Sequence, residues 1–414
     1  MGRNRTWTFE STFGISLAEF SAISAKAERR LFRQALSDTD LSSLITLSDI
    51  DEIVASRNLV FPMVRISKDG GMLPPHQFTR ASGLEVDAIR YVDSLKLFRC
   101  FRDGGTIVFR DMHRYWPPIT ELSWELTREI GCAVTVNAYL TPRDTQGLTP
   151  HFDYHDLLLV QVAGAKSWYS YSHNADLPLD NNNWRSIIRS VTMPPPPRDT
   201  PVAETTRLDA GDVLFVPRGS THAARTSSEV SLHLALELQT WTGFDVALGV
   251  LRQVSSSRKL RTGVPYEIIA DSGLTREVVS ESIRDAQDLA DGLDIDRLGW
   301  AIYRDSHVDL FETPVRLVSQ YNSIASIEDS ATFARRERIL FAMRTEQDHV
   351  VVEVPDRVFR FPRALASAVE LALSGHDVTL AACEAVGTPG HVTRRMFQTL
   401  VSEGILVPSA AVGY

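Results

Sequence analysis

The 414-residue sequence predicts a mainly β domain built as a small barrel, followed by a helical segment and a winged-helix-like end. Two observations support this fold class. Short apolar runs separated by Gly, Pro, Asn and Asp fill the chain up to about Thr242, and amphipathic helical patterns replace them afterwards. From about Arg335 short strands mix with helices. We therefore predict three domains, at residues 1–242, 243–334 and 335–414.

The first domain opens with a helical pattern from Ser16 to about Leu47, where apolar residues recur at spacings of three and four. Seven β-type runs follow, and a helical insert at 119–131 interrupts them. A proline-rich loop from Asp180 to Thr206 is not a central strand, because four successive prolines cannot supply ladder donors. The seven runs are 59–66, 105–110, 132–140, 157–164, 167–172, 212–218 and 230–239.

The second and third domains carry helical patterns of different kinds. Residues 274–305 are amphipathic, and their apolar stripe is expected to pack against a copy of itself in a homodimer. The third domain combines a strand, three helices and a closing strand at 404–408, the order of a small winged-helix module. Between Val351 and Tyr414 it has five arginines, no lysine and six acidic residues, so it lacks the basic surface that DNA recognition requires.

The composition narrows the class of protein. Hydrophobic residues make up 43% and charged residues 23% of the chain, which is typical of a globular protein, and no apolar run is long enough to cross a membrane. The three cysteines are far apart, which fits reduced thiols in a cytoplasmic protein. A net charge of −9 argues against nucleic acid as the main partner, although a basic polypeptide remains a suitable one.

The strongest site pattern is a set of three candidate metal ligands. His151 and Asp153 are two residues apart, so on an extended backbone their side chains point to the same face. Further on, the stretch LDAGDVLFVPRGSTHAA presents His222 at the start of a strand after two turns. Two imidazoles and one carboxylate form a facial triad with open coordination positions, which is typical of non-heme Fe(II). No cysteine lies near to complete a structural zinc site.

Two other histidines are interpreted differently. His155 shares the strand face of His151, but one triad needs only one histidine from this strand, so we interpret it as a residue of the cavity mouth or a support for a ligand. His233 lies in the apolar run SLHLAL and is interpreted as a buried barrel histidine.

Lys166 follows an almost wholly apolar run and directly precedes two aromatic residues. A buried lysine is unfavourable without a partner, so either its stem reaches to a rim or its ammonium meets an anion brought in with the metal. A keto acid that chelates iron at one end and carries a carboxylate at the other is such an anion. Asn137 and Ser231 lie on strands that could reach the same molecule.

These segments resemble the JmjC-type 2-oxoglutarate oxygenases, and within them the ribosomal-oxygenase (cupin-4) group. The likeness covers about residues 15–240 and rests on GGTIVFRDMHRYWPPITEL, VNAYLTPRDTQGLTPHFDYHDLLLVQVAGAKSWYSY and GDVLFVPRGSTHAA, and more loosely on LVFPMVRISKDGG. The resemblance implies a double-stranded β-helix of the cupin/JmjC type, a dimerising helical domain and a C-terminal winged helix.

Carried over to this chain, the resemblance makes His151, Asp153 and His222 the Fe(II) ligands. Lys166 becomes the residue that holds the distal carboxylate of 2-oxoglutarate, with Asn137 and Ser231 as helpers. The implied activity is hydroxylation of a side chain of a protein or peptide, with O2 consumed and succinate and CO2 released. The substrate would be a ribosomal protein or a natural-product precursor peptide. One departure, Ser220-Thr221 where relatives often carry an aromatic residue, concerns the substrate mouth.

Two alternatives remain at this point. A ligand-sensing transcription regulator would use the barrel as a sensor and the last domain on DNA, and the charge of that domain disfavours it. A cupin metalloenzyme that does not use 2-oxoglutarate would share the triad but would not depend on Lys166.

Overall fold

The computed structural model describes residues 6–81, 89–179, 197, 199–270, 272–307, 315–325, 327–387 and 390–409. The chain divides into two compact units, Met1–Thr240 and Trp241–Tyr414. The division falls close to the boundary expected at residue 242, whereas the boundary expected at residue 334 stays a prediction. The proline-rich loop lies largely outside the described residues.

The first unit is mainly β, and its described strands are short and antiparallel. They form an eight-stranded sheet in the order β1-β11-β8-β13-β7-β6-β2-β3, a three-stranded sheet β10-β9-β12 and a pair β4-β5. The strands are β1 (Arg30–Phe32), β2 (Val64–Lys68), β3 (Gly71–Met72), β4 (Thr79–Ala81), β5 (Arg90–Val92), β6 (Thr106–Phe109), β7 (Val134–Thr141), β8 (Asp156–Ala163), β9 (Lys166–Tyr171), β10 (Val202–Leu208), β11 (Val213–Val216), β12 (His222–Thr226) and β13 (Ser231–Leu238).

This arrangement confirms the predicted β barrel of the cupin type. Because side chains alternate across a strand, every second residue of β7, β8 and β13 faces inward. Apolar side chains from five strands pack together in a core that includes Leu157, Leu159 and Trp168. Polar side chains at other inward positions line a cavity beside this core.

The N-terminal part departs from the single helical pattern expected between Ser16 and Leu47. The helix that starts after Ser16 ends at Ala25, and Ala27 has a left-handed backbone with φ 50°. Residues Arg30–Phe32 form β1, the edge strand of the eight-stranded sheet, which pairs with β11, so tertiary pairing overrides local helical periodicity. The helices of this unit are α1 (Phe9–Phe13), α2 (Leu17–Ala25), α3 (Asp38–Leu44), α4 (Leu47–Ser56), α5 (Ser94–Arg102) and α6 (Pro117–Ile130).

Most predicted β runs become strands, with two kinds of difference. The run expected at 59–66 forms a strand only from Val64, since Pro62 has no N–H to donate to a ladder. Strand β10 was not predicted, because its sequence VAETTRL is mostly exposed and lacks an apolar run. The predicted helical insert is present as α6, and His222 begins β12 as expected.

The second unit begins with helices and ends with short strands and helices around its own apolar core. Its helices are α7 (Gly243–Val254), α8 (Ser272–Asp291), α9 (Ile295–His307), α10 (Leu317–Ala325), α11 (Ala366–Ala372), α12 (Leu380–Val386) and α13 (Gly390–Ser402). Its strands are β14 (Thr332–Arg335), β15 (Ala342–Thr345), β16 (His349–Val354), β17 (Arg357–Pro362), β18 (Val378–Thr379) and β19 (Leu406–Pro408). The winged-helix assignment stays a prediction.

Two further expectations concern the environment of the chain. No helix among the described residues combines the length and the apolar character that a membrane crossing requires. All three cysteines carry free thiols, and Cys132 and Cys383 are buried while Cys100 is partly exposed.

Candidate metal centre

The first unit brings the three predicted ligands together. Each of His151, Asp153 and His222 offers one ligand atom, and these atoms lie within 4.8 Å of one another. The Nε2 atoms of the two histidines lie 3.9 Å and 3.5 Å from Oδ2 of Asp153, respectively. One ion can therefore contact all three, and two imidazoles with one carboxylate are a donor set that fits divalent iron.

The orientation of both imidazoles is fixed by local backbone carbonyls. Nδ1 of His151 lies 2.9 Å from the carbonyl oxygen of Thr149, and Nδ1 of His222 lies 2.9 Å from that of Ser220. A carbonyl only accepts, so each Nδ1 must carry the proton and donate it. Each Nε2 then presents a lone pair towards Asp153, which is the tautomer that binds a metal.

Backbone pairing explains why distant parts of the sequence meet here. His151 and His222 form an antiparallel bridge, with N–H to O=C distances of 3.1 Å and 2.8 Å. The N–H of Gly219 donates to the carbonyl of Asp153. Gly219 has φ 81°, and a Cβ there would collide with the carbonyl oxygen of Ala175. The turn before His222 therefore requires glycine and attaches directly to the Asp153 backbone.

His222 is buried, and burial is also the main cause of its low pKa. Desolvation, followed by the nearby His151, lowers the pKa of His222 to about 4. The ring is therefore neutral at physiological pH, and its lone pair is available to a metal without release of a proton.

The three side chains line a cavity of about 270 Å³. Its wall continues from the triad to Lys166 and includes both charged and aromatic side chains. The size suits a small cosubstrate together with one side chain of a larger substrate. Thr221 is fully buried, and neither it nor Ser220 lines the cavity, so this segment contributes no side chain of these two residues to the described cavity wall.

Lys166 reaches into this cavity from the first position of β9. The residue is 4% exposed, and its Nζ donates to Oγ1 of Thr141 at 3.0 Å. Burial lowers the pKa of Lys166 to about 7. Among the described residues no carboxylate forms an ion pair with this ammonium. The side chain does not reach to the rim, and the contact of its ammonium with an anion stays a prediction.

Asn137 and Ser231 occupy different positions. Asn137 lines the cavity, accepts from the backbone N–H of Asp111 and donates to Oε1 of Glu237 at 2.6 Å, so one of its two amide N–H groups remains for a ligand. Ser231 is buried but does not line the cavity, and its hydroxyl accepts from Gln161 at 2.8 Å. Asn137 can therefore donate a hydrogen bond to a ligand in the cavity. Ser231 instead contributes to the packing of the barrel.

His155 and His233, the two histidines that the sequence did not assign to the metal, both line the cavity. His155 is 7% exposed, and its Nε2 lies 3.7 Å from Oε1 of Glu237. His233 is 2% exposed and packs between Tyr139 and Trp168. Neither belongs to the cluster of candidate metal ligands found among the described residues.

Sequence reasoning missed several residues of the wall. Tyr139 lies two residues after Asn137, and Glu237 lies four residues after His233, so strand alternation from the predicted residues could have found both. Arg65 and Arg110 also line the cavity, but they carry no comparable signal, because charged residues at strand ends are usually solvated.

Comparison with known proteins is consistent with this geometry. Residues 115–246 match the family model of the JmjC domain. The chain is 29% identical over 185 residues to the "Bifunctional lysine-specific demethylase and histidyl-hydroxylase NO66" of Drosophila mojavensis, an alignment covering 42% of this chain and 20% of that protein. It is 27% identical over 198 residues to "Ribosomal oxygenase 2" of Rattus norvegicus, covering 46% and 40%. The chain therefore spans about a fifth to two fifths of these relatives' own length.

Solved structures match over more of the chain. The structure of YcfD, "a Ribosomal oxygenase from Escherichia coli in complex with Cobalt and 2-oxoglutarate", superposes with a TM-score of 0.54 and 12% sequence identity, covering 96% of this chain and 99% of that one. A further crystal structure of the same protein gives a TM-score of 0.52, also at 12% identity. At this identity the match shows the fold.

The barrel and its three-donor cluster define a JmjC-domain protein. Residues 115–246 of the chain carry a JmjC domain, which confirms the resemblance in the sequence, and the relatives and solved structures that the chain resembles include ribosomal oxygenases.

Proposed function

We propose that this protein is an Fe(II)- and 2-oxoglutarate-dependent oxygenase that hydroxylates a side chain of a protein or peptide. The observation that carries the proposal is the combination of a His-Asp-His cluster and a buried lysine in one cavity. A metal cluster alone would fit many reactions, but a buried lysine without a carboxylate partner fits an anionic cosubstrate.

His151, Asp153 and His222 would hold the iron, since their donor atoms converge and both histidines have the metal-binding tautomer. When bound, iron supplies oxygen activation coupled to oxidative decarboxylation of 2-oxoglutarate to succinate and CO2, with one oxygen atom of O2 transferred to the substrate. The residues of the chain supply ligand geometry and a dry, shaped cavity. No side chain has to act as a general base.

Lys166 would bind the distal carboxylate of 2-oxoglutarate through its ammonium. Its hydrogen bond to Thr141 holds the ammonium at the deep end, and the ring of Trp168, with its centroid 5.8 Å from Nζ, helps to exclude water. Asn137 would donate its remaining amide N–H to the same cosubstrate. Ser231 is not part of this proposal, because its hydroxyl faces Gln161.

The substrate class follows from the relatives' names. Curated relatives are called histidyl-hydroxylase and ribosomal oxygenase, so a ribosomal protein is the first candidate for this chain. A natural-product precursor peptide is the second candidate. The alignment covers only 20% and 40% of those two relatives, so their substrates do not transfer directly to this chain.

The test combines turnover with intact-mass spectrometry. The protein is incubated with Fe(II), 2-oxoglutarate and candidate polypeptides, and we expect succinate release and a product heavier by one oxygen atom. Asp153→Ala removes the only carboxylate of the cluster and should lower both signals at least about 100-fold, since loss of a ligand removes the metal. Asp51→Ala, an exposed position in α4, is the matched control and should behave as wild type. Turnover that survives in Asp153→Ala would contradict the proposal.

Two alternative functions give different results. A cupin metalloenzyme that does not use 2-oxoglutarate would keep its activity in Lys166→Ala. A transcription regulator would bind duplex DNA with strong salt dependence. Arg394, one of two adjacent arginines on α13, is already engaged by Asp329 and lies 3.6 Å from Glu384, which disfavours the DNA-binding alternative.

We also propose that the chain forms a homodimer through its helical segment. Helices α7, α8 and α10 carry large exposed apolar side chains, including Leu251, Ile283 and Tyr321. Exposed apolar surface of this kind favours association, and a second copy would present the same surface. A cytoplasmic location also stays a prediction, based on the free thiols.

A further inference from the structure

His233 lines the same cavity as Lys166, and both side chains lie beside the ring of Trp168. His233 is on β13, directly opposite Tyr139 of β7 in the sheet register. Both His233 and Lys166 line the cavity, and the charge of Lys166 acts on the imidazole strongly enough to influence its pKa. His233 therefore lies where the far end of an anionic cosubstrate would be held.

The ring of His233 has a fixed orientation. It stacks on Tyr139 with a centroid distance of 4.8 Å and an interplanar angle of 9°, and it meets Trp168 edge to face at 5.3 Å and 88°. Two aromatic neighbours at right angles prevent the ring from rotating without loss of both contacts. The ring nitrogens are consequently held in place before any ligand arrives.

In this orientation the imidazole of His233 makes no hydrogen bond to the described residues. Nδ1 of His233 is buried and has no hydrogen-bond partner among the described residues. Burial, and secondarily Lys166, hold the pKa of His233 well below its usual range. The imidazole is therefore neutral, with one N–H to donate and one lone pair to offer. Nδ1 is closed off by the surrounding protein, so a ligand in the cavity can meet this ring only at Nε2, which also has no hydrogen-bond partner among the described residues. An imidazole that lacks a protein partner gains stability when a ligand supplies one.

We propose that His233 is a second binding residue, beside Lys166, for the distal carboxylate of the keto acid. A carboxylate has two oxygens and can accept from an ammonium and from an N–H at the same time. The ammonium supplies charge, and the rigid ring supplies direction. The proposal rests on the proposed function, because it assigns a role within the same cavity.

Binding measured without turnover tests this role. The full-length protein is loaded with Mn(II) under anaerobic conditions, and its Kd is measured for 2-oxoglutarate and for 2-oxopentanoate, which has the same chain length but ends in a methyl group. His233→Phe keeps a flat ring between Tyr139 and Trp168 but removes both nitrogens. We expect it to weaken 2-oxoglutarate binding about tenfold or more, the effect of one hydrogen bond to a charged group, with little change for 2-oxopentanoate.

A matched control separates this effect from packing. His76→Phe makes the same chemical change at an exposed histidine of the first unit that does not line the cavity, and it should leave the Kd for 2-oxoglutarate within about twofold of wild type. His233→Gln restores a side-chain N–H and should recover part of the affinity. The midpoint of thermal unfolding of each variant shows whether it is folded, and His233→Gln carries the comparison if phenylalanine is not tolerated.

The other outcomes overturn the inference in distinguishable ways. Equal 2-oxoglutarate affinity in wild type and His233→Phe would show that the ring makes no contact with the carboxylate. Equal weakening for both ligands would show that the ring only packs. Absence of 2-oxoglutarate binding to the wild-type protein would instead overturn the proposed function, and this inference with it.

Discussion

Lys166 shows most clearly how a single residue links stability to function. A lysine that is 4% exposed, with one hydrogen bond and no ion pair in the part of the chain that the structure describes, is an unfavourable choice for a barrel interior. Burial disfavours the charged ammonium and therefore lowers the pKa of Lys166 to about 7. Binding sites commonly retain such groups at the expense of stability.

Replacing this lysine should stabilise the protein and abolish cosubstrate binding. The folded pKa of Lys166 lies below its unfolded value, so at every pH below about 10 the buried lysine lowers the stability of the folded state. We expect Lys166→Met to raise the free energy of unfolding by about 1–4 kcal/mol, the range for apolar replacement of buried ionic groups. Chemical denaturation measures this, and Lys26→Met, at an exposed position, is the control. A less stable Lys166→Met would contradict the assignment.

The same pKa predicts how affinity depends on pH. In the ligand-free protein the ammonium of Lys166 is present below about pH 7 and is lost above it. A bound carboxylate favours the charged form and raises this pKa, so binding takes up a proton above pH 7. The Kd for 2-oxoglutarate should therefore increase up to about tenfold per pH unit above 7. Titrations between pH 6 and pH 9 check this, and 2-oxopentanoate should show no such trend.

At the scale of elements, two turns position the site. Gly164 separates β8 from β9 and sets the position of Lys166, and Gly219 sets the position of His222. Both have a left-handed backbone, with φ of 63° and 81°, and an added Cβ would collide with a carbonyl oxygen of Val230 or Ala175. These turns connect local sequence directly to the geometry of the cavity.

Alanine at either glycine should disturb both stability and binding. We expect Gly164→Ala and Gly219→Ala each to lower the free energy of unfolding by about 2 kcal/mol or more, since strain and collision add. Gly219→Ala should also weaken Mn(II) binding, because the turn bonds to the Asp153 backbone. Gly71→Ala is the control, since the nearest atom to its added Cβ would be the Lys68 carbonyl oxygen at 4.0 Å. Wild-type metal affinity in Gly219→Ala would show that the turn does not position His222.

At the scale of the whole molecule, the second unit differs from the first in its surface. Its α8 has no fully buried residue, and Val279 and Ile283 on this helix are 48% and 53% exposed. These two side chains lie one helical turn apart on the same face. An amphipathic helix of this kind gains stability by packing against a partner.

A charge on this face should dissociate the proposed homodimer. We expect Ile283→Asp to shift the molar mass in light scattering from two chains to one, because a carboxylate would be buried in the interface. Glu281→Lys changes the charge at an exposed position on the opposite face of α8 and should leave the mass unchanged. A wild-type protein that remains a single chain at micromolar concentration would exclude the homodimer.

The sequence by itself determined the β barrel, the two parts of the chain that carry His151, Asp153 and His222, and the exceptional character of Lys166. These are local signals, since alternation, turn residues and a charge in an apolar run are visible within about ten positions. The resemblance to the JmjC oxygenases added the identity of the expected metal and cosubstrate.

Only the tertiary structure decided which side chains share the cavity. Ser231 and His233 are two residues apart on β13, yet one bonds to Gln161 and the other lines the cavity, which strand alternation alone does not distinguish. Likewise, Arg30–Phe32 continues a helical pattern in the sequence but pairs with β11 in the fold. In both cases the outcome depends on partners more than 65 residues away, and no local pattern records them.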